Sequence, residues 1–482
     1  MTFKQWNRRR PDKRNGWVVA FWLVAGVHPT VSAAEWSGWL NGQTRYYGQT
    51  GEQVDEQTYP SIGAQLDVAQ TLGERDQLSA SVFLRGDSVD DERNSADIRE
   101  LLWLREEDAY QLRAGIGQAG WGVNELFKIT DLINQKDRAE LPFNRKLGQP
   151  LASLSFYWGE DLIELYTLYG LRPAWFPGED GRLRYPLLVA NDEEEYDWGA
   201  TGRWDFAARW KTRIGEMDIA LSHFYGMTRD PYFIFNYDFS DPYLIPVYEK
   251  VNQTSLEWQY LLNDILLRAE FTYQTGSLEQ FESVAGGMEY TFGALFGSDV
   301  DLTWMIEGIW DSRDHIYGTL FDRDIGIAGR IALNDERDSN LIVALIADTR
   351  YDEWFGTLFW SNTIGQAWSL NVTGQYFHAN DDRYSSDDII PFLEQLVTEN
   401  PASEASIEQF LLLLDDVTIS TVQFERIEQF VEDLQQPDYW SGIDTAAVPQ
   451  TLFDLLRISD NSQKMNLIER DSYVQIDIYY HF

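Results

Sequence analysis

The last eleven residues, Ser472-Tyr-Val-Gln-Ile-Asp-Ile-Tyr-Tyr-His-Phe482, alternate between two kinds of side chain. Successive side chains of a strand point to opposite faces, so a period of two predicts a β-strand with one apolar face. Lipid on one face and water on the other favours this pattern, and an ordinary amphipathic edge strand is the alternative. The apolar positions are Val474, Ile476, Ile478, Tyr480 and Phe482.

The chain stops at the aromatic pair Tyr480 and Phe482. A terminal strand that ends in Phe resembles the C-terminal signature of bacterial outer-membrane barrels. The resemblance implies that residues 472–482 form the closing strand and that the barrel-assembly machinery is a partner, which reads this pair as an insertion signal.

Residues 1–34 have the organisation of a cleaved Sec signal peptide. Six basic residues precede an apolar run, Trp17 to Val27, that is too short to span a bilayer as a helix. Val31-Ser32-Ala33-Ala34 supplies the small residues of a cleavage site. We therefore expect export, with cleavage near Ala33 or Ala34; a twin-Arg signal and an uncleaved anchor are the alternatives.

Composition restricts the class of partner and the environment. The formal net charge of −40 repels nucleic acid, which excludes nucleic-acid binding. The 19 Trp and the 15% aromatic content need either a lipid–water boundary or a very large core. Cysteine is absent, so no disulfide holds the fold together.

Residues 35–378 contain short alternating segments separated by roughly ten to twenty residues. With the closing strand they number about eighteen. Long polar connections such as Gln118–Leu151 alternate with tight turns such as Asn263–Asp264. The even number of strands and this alternation of connections predict an all-β fold. The predicted architecture is a transmembrane antiparallel up-and-down barrel with an aqueous lumen.

Two insertions interrupt the predicted meander. Gln118–Pro150 contains a predicted short helical stretch around Asn124–Ile133, and residues 379–471 show apolar spacing typical of helices. Strand parity places the second insertion at the cell-surface end, as a cap, an inward plug or a partner surface. Its predicted helices are Asp388–Thr398, Ser406–Asp415, Thr421–Leu434 and Pro449–Ile458.

The predicted lumen face carries both signs of charge. Opposed arginines and carboxylates create a transverse field for polar solutes in one interpretation; in the other they pair and only line a wet wall. The predicted lumen-lining charged residues are Arg45, Arg85, Arg113, Arg203, Arg209, Lys211, Arg268, Glu270, Glu307, Arg330, Arg350 and Asp477.

Catalytic and cofactor motifs are weak. Gly115-Ile-Gly117-Gln-Ala-Gly120 matches the dinucleotide fingerprint, but an antiparallel meander lacks the βαβ unit that the fingerprint needs. The few histidines have neither zinc-ligand spacing nor a triad arrangement. We expect no enzyme activity, no metal centre and no cofactor. Acidic loops at Asp87–Asp91, Asp192–Glu195 and Asp381–Asp388 suit divalent cations or bridges to lipopolysaccharide phosphates, and solvated acidic loops are the alternative.

The first insertion carries the most specific motif, which consists of Trp121-Gly122-Val123, Glu125, Asp131-Leu-Ile-Asn-Gln135, Asp137 and Lys146-Leu-Gly-Gln-Pro150. This motif resembles a loop of uncharacterised porin-like outer-membrane proteins of proteobacteria. A looser version occurs in alginate-export-type porins. The resemblance implies a barrel in the Gram-negative outer membrane and brings no substrate. The loop is expected to narrow the lumen as a constriction, with an external lid as the alternative. Its expected site residues are Trp121, Gly122, Glu125, Asp131, Asn134, Gln135, Asp137, Lys146 and Gln149.

These features predict a porin-like channel for passive passage of small polar solutes, in contact with outer-membrane lipid and lipopolysaccharide. Two alternatives stay open. One is an export conduit for a lipid or polysaccharide with a periplasmic or inner-membrane partner. The other is a non-transporting surface scaffold or adhesin.

Overall fold

The structure is a computed structural model that describes residues 33–140, 146–196, 204–236, 241–278, 280–313, 320–379, 391, 448–459 and 464–482. Eighteen strands form its main sheet. They are β1 (Glu35–Tyr47), β2 (Thr58–Leu72), β3 (Asp76–Asp87), β4 (Ser95–Glu106), β5 (Tyr110–Gly117), β6 (Gln149–Trp158), β7 (Asp161–Tyr169), β8 (Trp204–Ile214), β9 (Met217–Met227), β10 (Lys250–Leu262), β11 (Ile265–Thr275), β12 (Gln280–Phe292), β13 (Asp301–Asp311), β14 (Asp324–Ala332), β15 (Asn340–Asp348), β16 (Glu353–Ile364), β17 (Trp368–Ala379) and β18 (Tyr473–His481).

The sheet closes on itself. Every strand pairs antiparallel with the strands before and after it in sequence. The first strand also pairs with the last, from Trp39 opposite His481 to Tyr47 opposite Tyr473. The predicted up-and-down barrel of eighteen strands is therefore confirmed, and the closing strand is the C-terminal one.

The two ends of the barrel differ. At one end, called the turn end, the connections are residues 73–75, 107–109, 159–160, 215–216, 263–264, 293–300, 333–339 and 365–367. At the other, called the loop end, they include residues 118–148, 170–203, 228–249 and 380–472. Most of the described residues outside the strands thus belong to connections at the loop end.

The outward face of the barrel is apolar and exposed. Leu221, Leu256 and Phe271 are opposite one another on β9, β10 and β11, and each is about 40% exposed or more. In the described residues no second sheet or helical layer covers this face. A search of the described helices finds none with the length and hydropathy to cross a bilayer.

Among the described residues, the inward face is more deeply buried in the loop-end half of the barrel than in the turn-end half. On β10, Val251, Gln253 and Ser255 lie toward the loop end and are buried, whereas Gln259 lies toward the turn end and is partly exposed. The same gradient appears on β13, where Glu307 is buried and Thr303 is partly exposed. The material that fills the loop-end half comes from the long connections.

Short strands at the loop end were not predicted from the sequence. Tyr232–Phe235 and Tyr243–Tyr248 pair antiparallel, and Leu188–Val189 and Glu195–Tyr196 join Tyr243–Tyr248 in parallel. Two long connections are therefore folded against each other. Such pairing depends on contacts distant in sequence, which period-two patterns do not reveal.

The second insertion is described only near its end. The helix α1 (Val448–Ser459) confirms the predicted Pro449–Ile458 helix, and a 3-10 helix, Asn466–Asp471, precedes β18. Ala379 belongs to β17, so the insertion begins one residue later than expected. Two predictions fall almost entirely outside the described residues and stay predictions. They are the cleavage of the signal peptide and the helices Asp388–Thr398, Ser406–Asp415 and Thr421–Leu434.

Gly115 explains why the dinucleotide fingerprint begins with a glycine here. Its φ is +138°, and a Cβ atom at this position would lie 2.0 Å from the carbonyl oxygen of Leu101 on β4. A side chain would therefore push two paired strands apart. The described residues that follow contain no helix, which agrees with a coincidental match.

Candidate functional site: the inward loop

Residues 118–148, called the inward loop, connect β5 to β6. The structure describes residues 118–140 and 146–148 of this loop, and their contacts lie in the barrel interior. One part contacts β11 and β13, and another contacts β1 and β3, which lie on roughly opposite walls. The two short strands Gln135–Lys136 and Lys146–Leu147 form a hairpin within the loop. The described part of the loop thus contacts inward-facing side chains of the wall, and its role as a constriction stays a prediction.

Glu270 on β11 holds the first part of the loop. One carboxylate oxygen accepts the backbone N–H groups of Val123 at 2.6 Å and Asn124 at 2.7 Å. The other accepts those of Ile129 at 3.0 Å and Thr130 at 3.2 Å. The Glu270 side chain is buried, so its carboxylate accepts four hydrogen bonds from the loop at a place from which water is excluded.

Glu307 on β13 holds the segment between these donors. Its carboxylate accepts the N–H groups of Glu125 at 2.9 Å, Leu126 at 2.8 Å and Phe127 at 3.2 Å. The predicted helical stretch Asn124–Ile133 is wrong for this reason. Its backbone donors bind two wall carboxylates instead of carbonyl groups four residues earlier.

Apolar contacts complete this anchorage. Phe127 packs with Ala285, Ile309 and Ile346 of the barrel wall. On the other side of the lumen, the Trp121 ring lies edge-on to Tyr166, with centroids 6.0 Å apart. Trp121 was predicted from its motif, and its role in the structure is to pack the loop against the wall.

A second anchor joins the loop to the opposite wall through Glu140. Its carboxylate lies 2.9 Å from Arg45 Nη2 on β1 and 2.5 Å from Arg85 Nη1 on β3, and it also binds Arg93. Burial would raise the pKa of Glu140, but Arg93, Arg45 and Arg85 hold that pKa well below its usual range. We call Arg45, Arg85 and Arg93 the arginine cluster.

This arrangement predicts an acid-resistant anchor. A carboxyl group with a lowered folded-state pKa contributes stability above its unfolded pKa of about 4.3, and that stability is lost as the pH falls through the folded value. We therefore expect the stability difference between wild type and Glu140→Ala to stay constant from about pH 8 to about pH 5. Thermal melting of both proteins across this range measures it. A difference that shrinks near neutral pH would contradict the assignment.

The remaining motif residues hold the loop in shape. Asn134 exchanges two hydrogen bonds with the backbone of Ala119, at 2.9 and 2.6 Å, and Asp131 pairs with Lys146 at 2.5 Å. Gln135 donates to the carbonyl of Arg172 and Gln149 to that of Ile133. Asp137 lies 3.8 Å from Arg85. Gly122 has a φ of +95°, and the Glu125 side chain is exposed beside Lys128.

Most predicted lumen arginines have a described carboxylate or amide partner. Arg209 binds Glu257 at 2.6 Å and Glu164 at 3.3 Å, and Arg268 binds Glu289 at 2.8 Å. These pairs favour the paired-wall interpretation over a transverse field. Arg330 donates to Asn340, Arg113 to the carbonyl of Gln118, and Asp477 accepts from Asn41, Gln43 and Gln475.

Some predicted positions differ. Arg350 is not on a lumen-facing strand position, because β15 ends at Asp348 and Arg350 binds Asp322 in the loop end. Lys211 takes an inward position on β8 near the turn end. Arg203 lies outside the described residues. Tyr480 and Phe482 are outward and exposed, as the insertion signal requires.

Three functional residues were missed by sequence reasoning. Glu140 and Arg93 lie in connections and follow no periodic pattern, and Arg229 pairs with Asp205 although the two are 24 residues apart. Only proximity in the folded lumen reveals them.

Three carboxylates at the loop end, Asp322, Asp324 and Asp348, lie within 4.8 Å of one another, and among the described residues they form the one such group. Lys464 binds Asp322 at 2.9 Å. Asp87, from a predicted acidic loop, pairs with Arg93. Divalent-cation binding stays a prediction.

The chain is similar to known proteins only in its barrel fold. No protein-family model matches the chain, and no curated protein matches it. Among solved structures, Wzi of Escherichia coli, described as a carbohydrate-binding outer-membrane β-barrel involved in group 1 capsule assembly, is 12% identical with a TM-score of 0.44 and coverage of 72% of this chain and 81% of Wzi.

Two structures from Pseudomonas aeruginosa are similar to the same extent. OccK2 (OpdF), in complex with glucuronate, is 12% identical with a TM-score of 0.45 and coverage of 72% and 92%. OccD3 (OpdP) is 10% identical with a TM-score of 0.43 and coverage of 74% and 89%. Identities this low say nothing about a substrate.

Proposed function

We propose that this protein is an outer-membrane channel for passive passage of small polar solutes, with the inward loop as its constriction. The observation that carries the proposal is the uneven filling of the lumen. The loop-end half is occupied by the anchored loop, and the turn-end half has a polar, partly exposed wall. A barrel of eighteen strands is too wide for its own side chains to fill.

A bilayer is the environment that suits the outward face. Exposed apolar side chains circle the barrel, and a closed sheet leaves no unpaired edge in hydrocarbon. With the chain exported, the turn end faces the periplasm and the loop end faces the cell surface.

Substituting an outward residue tests whether the outward face contacts the hydrocarbon of a bilayer. We expect Leu256→Arg, near the middle of β10, to lower the free energy of unfolding in vesicles by about 2–4 kcal/mol, because the charge enters hydrocarbon. Glu164, an inward and partly exposed position on β7, provides the control: Glu164→Gln keeps the outward face unchanged and should cost much less. Equal stability of wild type and Leu256→Arg would contradict the membrane assignment.

Channel activity is tested by single-channel recording on the refolded full chain. We expect small, steady conductance, and proteoliposome uptake that falls steeply with the size of uncharged solutes. No conductance, even after deletion of residues 380–471, would reject the channel.

The non-transporting surface scaffold is the second candidate, because the described loop-end half is densely packed. Arg182 in the 170–203 connection is buried and binds Asp471 at 2.6 Å, and its guanidinium lies 4.2 Å from the centroid of the Tyr47 ring. A rigid surface of this kind suits partner binding. The same recordings separate the two candidates, since a scaffold conducts neither as the wild type nor after deletion of residues 380–471.

A further inference from the structure

The arginine cluster is built into the wall independently of Glu140. Arg45 donates to Gln475 at 2.9 Å, and its guanidinium lies 4.5 Å from the centroid of the Tyr473 ring. Arg93 is held by Asp87 at 2.5 Å. Arg85 Nε donates to the carbonyl of Arg93 at 2.6 Å. Each of the three guanidinium groups therefore has a contact other than Glu140, and this is the preorganisation that an anion site needs.

Among the described ion pairs of the cluster, the inward loop supplies most of the negative charge. The wall supplies three guanidinium groups and the Asp87 carboxylate, and the loop supplies Glu140 with Asp137 nearby. Without the loop, these wall groups carry an excess of two positive charges. Buried excess charge is costly, so the cluster favours a carboxylate.

The Glu140 anchor differs in its chemistry from the hydrogen-bonded anchors on the opposite wall. On that wall, backbone N–H groups of the loop donate to Glu270 and Glu307. A solute carboxylate cannot take the place of these donors, because it has no N–H group and would be repelled by the negative acceptors. Glu140 is different, since its side-chain carboxylate has the same chemistry as a carboxylate on a small solute. A solute of that class can compete with Glu140 for the arginine cluster.

We propose that Arg45, Arg85 and Arg93 form a carboxylate-binding site, that Glu140 is its resident ligand, and that a solute carrying a carboxylate displaces Glu140 and loosens the inward loop. The displacement step rests on the proposed channel function, whereas the site itself does not. The proposal names small carboxylated solutes as the preferred class.

Chemical rescue of the full chain in detergent tests the site. Glu140→Ala removes the carboxylate and leaves space beside the cluster, so its apparent melting temperature should fall by several degrees. Sodium acetate should restore at least half of this loss, and sodium chloride at equal ionic strength should not. If Glu140→Ala does not fold in chloride, recovery of folded barrel on refolding in acetate is the readout.

Two matched variants control for trivial effects. Glu140→Gln fills the same space without a charge, so acetate should not restore its melting temperature. Glu125→Ala removes an exposed carboxylate from the same loop and should melt as the wild type does. Equal responses to acetate and chloride, rescue of Glu140→Gln, or an unaltered melting temperature of Glu140→Ala would overturn the site.

Transport tests the displacement separately. In wild-type proteoliposomes, lactate should enter several-fold faster than glycerol, which has the same carbon number and no charge, and Glu140→Gln should reduce this ratio. Equal rates would overturn displacement. Acetate rescue of melting without conductance in any variant would leave the site standing and reject the channel, and conductance without acetate rescue would do the reverse.

Discussion

Removing both wall carboxylates, in the double variant Glu270→Ala/Glu307→Ala, should release the inward loop and produce a large rise in single-channel conductance. Seven loop N–H groups would lose a charged acceptor. Hydrogen bonds to charged groups contribute about 1.5–3 kcal/mol each, so a net weakening of loop docking by even about 3 kcal/mol is a conservative expectation. That loss shifts the docked-to-released equilibrium by roughly a hundredfold.

Asp67→Ala is the matched control for this experiment. Asp67 is an inward carboxylate on β2, and its described partner is Gln65, at 3.0 Å, and not the loop. The variant should conduct as the wild type does. If the double variant and the control show the same conductance while both barrels are folded, the inward loop is not the constriction.

Arg229→Met should cause the largest loss of stability that a single substitution produces at the loop end, about 3–5 kcal/mol. Arg229 binds Asp205 on β8 at 2.8 Å, and both side chains are only 3% exposed. Its other bonds go to the carbonyls of Ile133, at 3.1 Å, and Met227, at 2.6 Å. Without the guanidinium, the Asp205 carboxylate would stay buried and unpaired, and the inward loop would lose a contact.

Equilibrium unfolding in lipid vesicles measures this loss. The double variant Arg229→Met/Asp205→Leu should recover a substantial part of it, because no buried charge is left. Arg213→Met breaks a surface pair with Asp218, at 3.0 Å, and should leave the free energy of unfolding almost unchanged. Comparable losses in Arg229→Met and Arg213→Met would contradict the assignment of a buried pair.

The two walls of the barrel bind the loop through side chains of opposite charge. On one wall, carboxylates of the barrel accept the loop backbone; on the other, guanidinium groups of the barrel bind a loop carboxylate. Backbone N–H groups are available in any sequence, so the first system depends on the shape of the loop. The second depends on one side chain, Glu140, and is the part that a single substitution or a competing ligand can change.

Period-two alternation was sufficient to place the strands. Segments such as residues 265–274 have the same alternation in the folded barrel, because each outward side chain has the same environment along the whole strand. Strand number, order and the assignment of long and short connections follow from such local patterns. The resemblance carried by the motif around Trp121 and Asn134 indicated a loop and left an inward position and an external lid as alternatives.

Local patterns failed where a segment's partners lie far away in sequence. Apolar spacing in Asn124–Ile133 predicted a helix, but Glu270 and Glu307, more than 130 residues later, take its backbone donors. Arg350 fitted a lumen-facing pattern and instead binds Asp322, since its strand ends two residues earlier.

The primary structure thus determined the barrel, because the choice between lipid and water is made residue by residue along each strand. Which connection enters the lumen, and which carboxylates and arginines hold it there, was decided only when eighteen strands closed into a ring. Closure places side chains of β1 and β3 on one side of the inward loop and side chains of β11 and β13 on the other, and the loop binds both walls.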